Sequence, residues 1–288
     1  MERMKRSFLN KLRHLWEPQV TPPRPGSSPR DLSILYCEIA NYEALCQAVP
    51  LEQLSELLNR YFESAVNDCI YKTEGTVIKF VNDTIFAIWN APDDQPDHPV
   101  RACQTALSLR DVCNQAGLTR PTPELECHAR IGLHCGPANV GNFGSTTRID
   151  YTAMGSNVDL ALSILKLNEA LGTSVLVSAE VVSRVQGQYL TRSLGLFGLR
   201  GSQIPVEVHE LLPLGQRAWE SRAWCETFSQ AIRSFQNRDW DAACAGFDKV
   251  RELKSGDSAS GFFLKQLAQF RQHPPGPDWQ GQIELRRE

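Results

Sequence analysis

A chain of 288 residues, 42% hydrophobic and 22% charged, has the composition of a globular protein, with room for one large domain or a medium domain and a small companion. Its formal net charge of -3 provides no basic face for phosphates, which excludes nucleic acid as an expected partner. Nine cysteines, odd in number and without a CxxC pair, lie in hydrophobic stretches and read as reduced core residues of a cytoplasmic protein, not as a disulfide framework or a zinc site.

In chain order, residues 1–16 carry Arg3, Lys5, Arg6, Lys11 and Arg13, with Phe8, Leu9, Leu12, Leu15 and Trp16 at helical spacing on another face. This basic amphipathic helix suits either an anionic membrane surface or docking on its own domain or a partner. Residues 17–30 are rich in proline and read as a linker. The main domain is expected over 31–214. Leu32 to Ile39 is an apolar run suited to a buried strand, and Leu51 to Val66 repeats at helical period. Thr76 to Val81 and Thr84 to Trp89 flank Asn82-Asp83, a pair that tolerates a two-residue hairpin turn. His98 to Ala116 reads as helix and Glu126 to Cys135 as strand, followed by a segment punctuated by Gly136, Gly141 and Gly144. Val158 to Ala170 is helical. Strands are then expected at Val175 to Val177, Tyr189 to Leu196 and Pro205 to Leu212. This order predicts an α+β fold, a ferredoxin-like sandwich with additions. Residues 215–272 read as a helical hairpin whose Phe235, Trp240, Ala243 and Phe247 are spaced like part of a tetratricopeptide repeat, and 273–288 as a tail.

Four segments carry the functional reading: LSILYCEIANY (32–42), GTVIKFVNDTIFAIWNAP (75–92), RIGLHCGPANVGNFGSTTRIDYTAMGSNVDLAL (130–162) and GLRGSQIPVEVHEL (198–211). In this order and spacing they resemble the class III adenylate/guanylate cyclase homology domain. The resemblance implies a sandwich of the nucleotide cyclase type, assembled as a homodimer or as a heterodimer with another cyclase domain. The family reaction turns ATP or another purine nucleotide into a cyclic nucleotide and pyrophosphate. A 3'-hydroxyl attacks the α-phosphate, so the family uses divalent cations, Mg2+ or Mn2+, to acidify the hydroxyl and neutralise the triphosphate.

By resemblance, Glu38 and Asp83 are the two metal-holding carboxylates. Oxygen ligands suit a hard cation, although Glu38 is one methylene longer than the family's usual aspartate. Lys79 and Thr152 match the pair that reads the purine edge, and their types lean toward adenine. The departures cluster in the helix after Gly155, where the family's ribose-orienting asparagine is Asp159 and its phosphate-stabilising arginine is Ser163. A carboxylate about 4 Å from a phosphate oxygen repels it by roughly 4 kcal/mol at an effective dielectric of about 20. In place of a Lys-Gly-Lys the chain has Arg200-Gly201-Ser202, so only Arg200 remains to face the triphosphate. Two readings stay open. The chain is the metal-bearing half of a two-part cyclase, or it is a catalytically dead pseudo-cyclase that binds nucleotide or a cyclase partner as a regulatory module.

Overall fold

The computed structural model describes residues 26–284 apart from 119, 123, 146 and 214–217. The basic segment 1–16, with its expected membrane contact, lies outside the described residues. Among those residues, no helix is long and apolar enough to cross a membrane.

The frame is one mixed sheet. Strand β1 (Gly26–Ile39) pairs antiparallel with β3 (Thr84–Trp89) on one side and with β4 (Ala129–Gly144) on the other. Strand β2 (Thr76–Val81) forms the edge beside β3, and the two are joined by the expected turn, where Asn82 takes a positive φ of 54°. Beyond β4 come β6 (Val175–Ser178), β8 (Val206–Leu212) and β7 (Leu190–Gly198), while β5 (Ile149–Met154) folds back on the far end of β4. This is the α+β sandwich of the cyclase type that the sequence predicts.

Three local readings change. The linker was expected to run through residue 30, yet 26–30 already belong to β1. Over that stretch β1 has β4 on one side only, since β3 pairs no earlier than Ser33, and an open edge tolerates Pro29. The strand expected to end at Cys135 continues through the glycines to Gly144, and β5, absent from the sequence reading, holds its far end in register. The helix expected over His98 to Ala116 divides into His98–Leu109 and Val112–Gln115.

Alternation along β1 sorts the core. Leu35, Cys37 and Ile39 face one layer, packed with the helix Leu51–Glu63 and the helix His98–Leu109. Leu32, Ile34 and Tyr36 face the other, against Val158, Ala161 and Leu165 of the helix Ser156–Leu171. That helix approaches β4 closely because residue 132 is glycine, where a Cβ would lie 2.3 Å from the Leu165 nitrogen. Glu38, two residues beyond Tyr36, therefore emerges on the face that this helix covers.

The C-terminal segment is more than a hairpin and a tail. Three helices, Ala218–Gln236, Trp240–Leu253 and Ser258–Gln272, are followed by β9 (Gln282–Glu284), which adds to β7 in parallel. Phe228, Phe235, Phe247 and Phe263 share one apolar core with Leu160, Ile164, Leu167 and Leu171, so the helix Ser156–Leu171 is held between the sheet and the C-terminal helices. Beneath this contact lies Arg192, with a side chain 1% exposed. It donates to Glu210 at 2.9 Å and to both Asp257 oxygens at 2.8 and 2.9 Å, and its guanidinium lies over Trp224 and Phe228. Burial raises the Asp257 carboxyl, but Arg192, Lys254 and the Ser260 hydroxyl outweigh it and bring the pKa to about 2.

Replacing Arg192 with methionine leaves buried Glu210 without its cation and Asp257 with Lys254 alone, and chemical denaturation should show a loss of about 3–5 kcal/mol. Because the folded pKa of Asp257 is depressed, its contribution to stability is present above the ordinary value of 3.8 and is lost as pH falls through about 2. Denaturation midpoints of wild type and Asp257→Asn should therefore converge across that window.

Candidate active site

Cross-strand pairing sets a row of side chains on the face covered by the helix Ser156–Leu171, hereafter the site helix. Lys79 stands opposite Phe86, Phe86 opposite Tyr36, and Tyr36 opposite Gly132. Phe86 and Tyr36 stack with centroids 4.6 Å apart, and Lys79 lies exposed at the open edge of the row. Two residues along β1, Glu38 stands opposite Arg130.

Glu38 and Asp83 come together at this end of the sheet. The backbone N–H of Ile39, next to Glu38, donates to Asp83 Oδ2 at 2.7 Å. Both residues are buried, Glu38 at 7% exposure and Asp83 at 6%. Burial pushes the Asp83 carboxyl above its ordinary range. The Ile39 N–H pulls it back, the Glu38 charge adds to the rise, and the Lys166 ammonium opposes it.

Neither cation beside Glu38 was singled out in the sequence. Lys166 Nζ donates to Glu38 Oε2 at 2.5 Å, and Arg130 lies 3.9 Å from Glu38 Oε1 and 3.7 Å from Glu169. The Nε of Arg130 is buried without a hydrogen-bond partner. A signal for Lys166 was available, because Asp159, Ser163 and Lys166 fall at i, i+4 and i+7 and so share one helical stripe.

The carboxylates have the oxygen chemistry of a hard-cation site, and magnesium sites commonly use one or two carboxylates and complete the shell with water and substrate phosphate. Among the described residues, no three His, Cys, Asp or Glu side chains converge as a self-sufficient metal cage. The donor set thus fits a divalent cation shared with a ligand. Its charge, two carboxylates against Lys166 and Arg130, is already balanced.

A second cluster forms at the start of the site helix. Asp159 is exposed in its first turn. Burial pushes the Tyr36 hydroxyl up to about 12, and the Asp159 charge adds to the rise. Ser163 Oγ lies 2.9 Å from the carbonyl oxygens of both Asp159 and Arg200, so its single proton is taken up by backbone. The loop carrying Arg200 comes this close because Gly201, at φ 96°, lies where a Cβ would be 2.4 Å from the Ser156 oxygen. Thr152 is half-buried on β5, opposite Gly141 and away from the carboxylate pair.

The remaining titratable array is structural. His98 Nδ1 is 2.8 Å from Ser33 Oγ and its Nε2 is 3.6 Å from Asp31, a Ser–His–Asp order, but Ser33 is fully buried and no substrate reaches it. His134, expected as a plain strand residue, is held by Ser178 at 2.8 Å and Asn157 at 3.0 Å at the wall of a cavity of about 280 Å³ behind the Arg200 loop. Burial lowers its pKa, which favours the neutral ring.

Comparison with known proteins defines the class. Residues 27–212 match the adenylate and guanylate cyclase catalytic domain, and the chain belongs to that family. It is 30% identical over 186 residues to adenylate cyclase 1 of Rhizobium meliloti (strain 1021), a stretch covering 64% of this chain and 28% of that protein. It is 28% identical over 159 residues to an adenylate cyclase of Anabaena cylindrica, covering 54% of this chain and 31% of that one. The chain thus spans under a third of the length of either relative. Among solved structures, the adenylyl cyclase CyaB from P. aeruginosa superposes with a TM-score of 0.60 at 24% identity, covering 67% of this chain and 98% of that chain. The guanylyl cyclase Cya2 superposes with a TM-score of 0.56 at 25% identity, covering 67% and 96%.

The structural share of Asp83 can be separated from any ligand role. Asp83→Ala orphans the buried Ile39 N–H and should cost about 1–3 kcal/mol in chemical denaturation, whereas Asp83→Asn keeps an oxygen there and should cost less than half as much.

Proposed function

We propose that the chain is the metal-bearing half of a two-part cyclase, weak or inactive as a homodimer and completed by a second cyclase domain. One observation carries this reading. The two carboxylates meet at the end of β1, whereas the position that should face phosphate with a cation is Ser163, its hydroxyl committed to backbone carbonyls. The proposed substrate is ATP, since Lys79 and Thr152 lean toward adenine, and the proposed setting is the cytoplasm. Mg2+ or Mn2+, when bound by Glu38 and Asp83, would supply acidification of the attacking hydroxyl and neutralisation of the triphosphate.

The chain's own residues define the rest of the proposal. Asp83 keeps one oxygen on the Ile39 N–H, which fixes the direction of the other. Asp159 supplies negative charge where the ribose and phosphates would lie, which penalises a nucleotide in the unaided homodimer. Loss of a phosphate-stabilising arginine costs on the order of 10³ to 10⁵ in rate in GTPases, and a similar order is expected here. The second reading, a regulatory pseudo-cyclase, is favoured by Lys166 and Arg130, which hold Glu38 in an ion-paired state.

Alone with ATP and Mn2+, the chain should make cyclic AMP far below the usual enzymatic range of about 1 to 10³ per second. Mixed with a cyclase domain that has the asparagine and arginine but lacks the metal carboxylates, it should gain activity, and the gain should vanish with Glu38→Gln or Asp83→Asn. A mixture as inactive as the chain alone, together with nucleotide binding, would favour the pseudo-cyclase. Ordinary turnover by the chain alone would contradict both readings.

A further inference from the structure

We infer that Lys166 is a resident cation of the carboxylate pair, an internal competitor that divalent metal must displace to reach Glu38. This rests on the reading of Glu38 and Asp83 as the metal side.

Three observations lead there. Lys166 Nζ makes its hydrogen bond to Glu38 Oε2 from the site helix, across the sheet-covering interface, over a separation of 128 residues. Its charge also lowers the Asp83 carboxyl, so the ammonium is felt at both carboxylates while its ion pair is with Glu38. The partners also differ in exposure, with the Lys166 side chain 60% exposed and that of Glu38 9%. A buried carboxylate needs a cation, while an exposed lysine can swing into water at little cost. The contact is therefore a replaceable plug and not a fixed core ion pair.

The length of Glu38 fits this role. An aspartate at this position would withdraw the carboxylate by one methylene, away from the site helix and toward β1. Arg130 cannot substitute fully for Lys166, because it lies 3.9 Å from Glu38 and is shared with Glu169.

The test is Mn2+ binding to the full chain by calorimetry, with and without a saturating non-hydrolysable ATP analogue, in wild type, Lys166→Met and Lys166→Arg, each with and without Asp83→Asn. Thermal melts confirm that each variant is folded. Lys166→Met should bind Mn2+ up to about fivefold more tightly than wild type, as expected for removing a competing ion pair of ordinary strength. Lys166→Arg, which keeps the charge, should remain near wild type, and Asp83→Asn should abolish the gain. Equal affinity in wild type and Lys166→Met, with binding still dependent on Asp83, would overturn the plug while leaving the metal-side reading intact. Absence of Asp83-dependent binding in every variant would overturn both.

Discussion

Glu38 sets the constraint on which the functional site depends. A carboxylate buried at the end of a central strand must be compensated, and the fold supplies Arg130 from the neighbouring strand and Lys166 from the helix above it. These contacts require the site helix to lie close on β1 and β4, which Gly132 permits by leaving no Cβ beneath Leu165. The same helix carries Asp159, whose charge reaches the Tyr36 hydroxyl. Packing and charge at the site therefore share one cause, the low clearance between helix and sheet.

The C-terminal helices extend that constraint outward. Leu160, Ile164, Leu167 and Leu171 give the site helix a second apolar face, which Phe228, Phe235, Phe247 and Phe263 cover. Below them Arg192 ties β7 and β8 to Asp257, the N-cap of the last of the three helices. Held from both sides, the helix presents Asp159, Ser163 and Lys166 as a rigid stripe.

Much of this was legible in the sequence because it is written in local patterns. The β2–β3 hairpin follows from Asn82-Asp83 between two strand-forming runs, and the site helix follows from its apolar period. What escaped depends on distant partners. Gly136 and Gly141 remain in a strand because β4 has ladder partners there, and β5 is fixed by pairing on β4, not by its own composition. The C-terminal strand β9 likewise forms only by pairing with β7. In the site, the carboxylates were visible through family resemblance, but Lys166 and Arg130 were not, since their meaning lies in the contact with Glu38.

On the proposed reading, Asp159 and Ser163 at the asparagine and arginine positions and the Lys166 contact at Glu38 act in the same direction. Each would lower the chain's capacity for unaided chemistry while leaving the scaffold on which a second domain could build. Diffraction from crystals soaked in saturating Mn2+, recorded at the manganese absorption edge, tests this most directly. The prediction is an anomalous peak shared by Glu38 and Asp83, with Lys166 Nζ turned out to solvent. An unbroken Lys166–Glu38 contact at full Mn2+ saturation, with no peak at the pair, would contradict it.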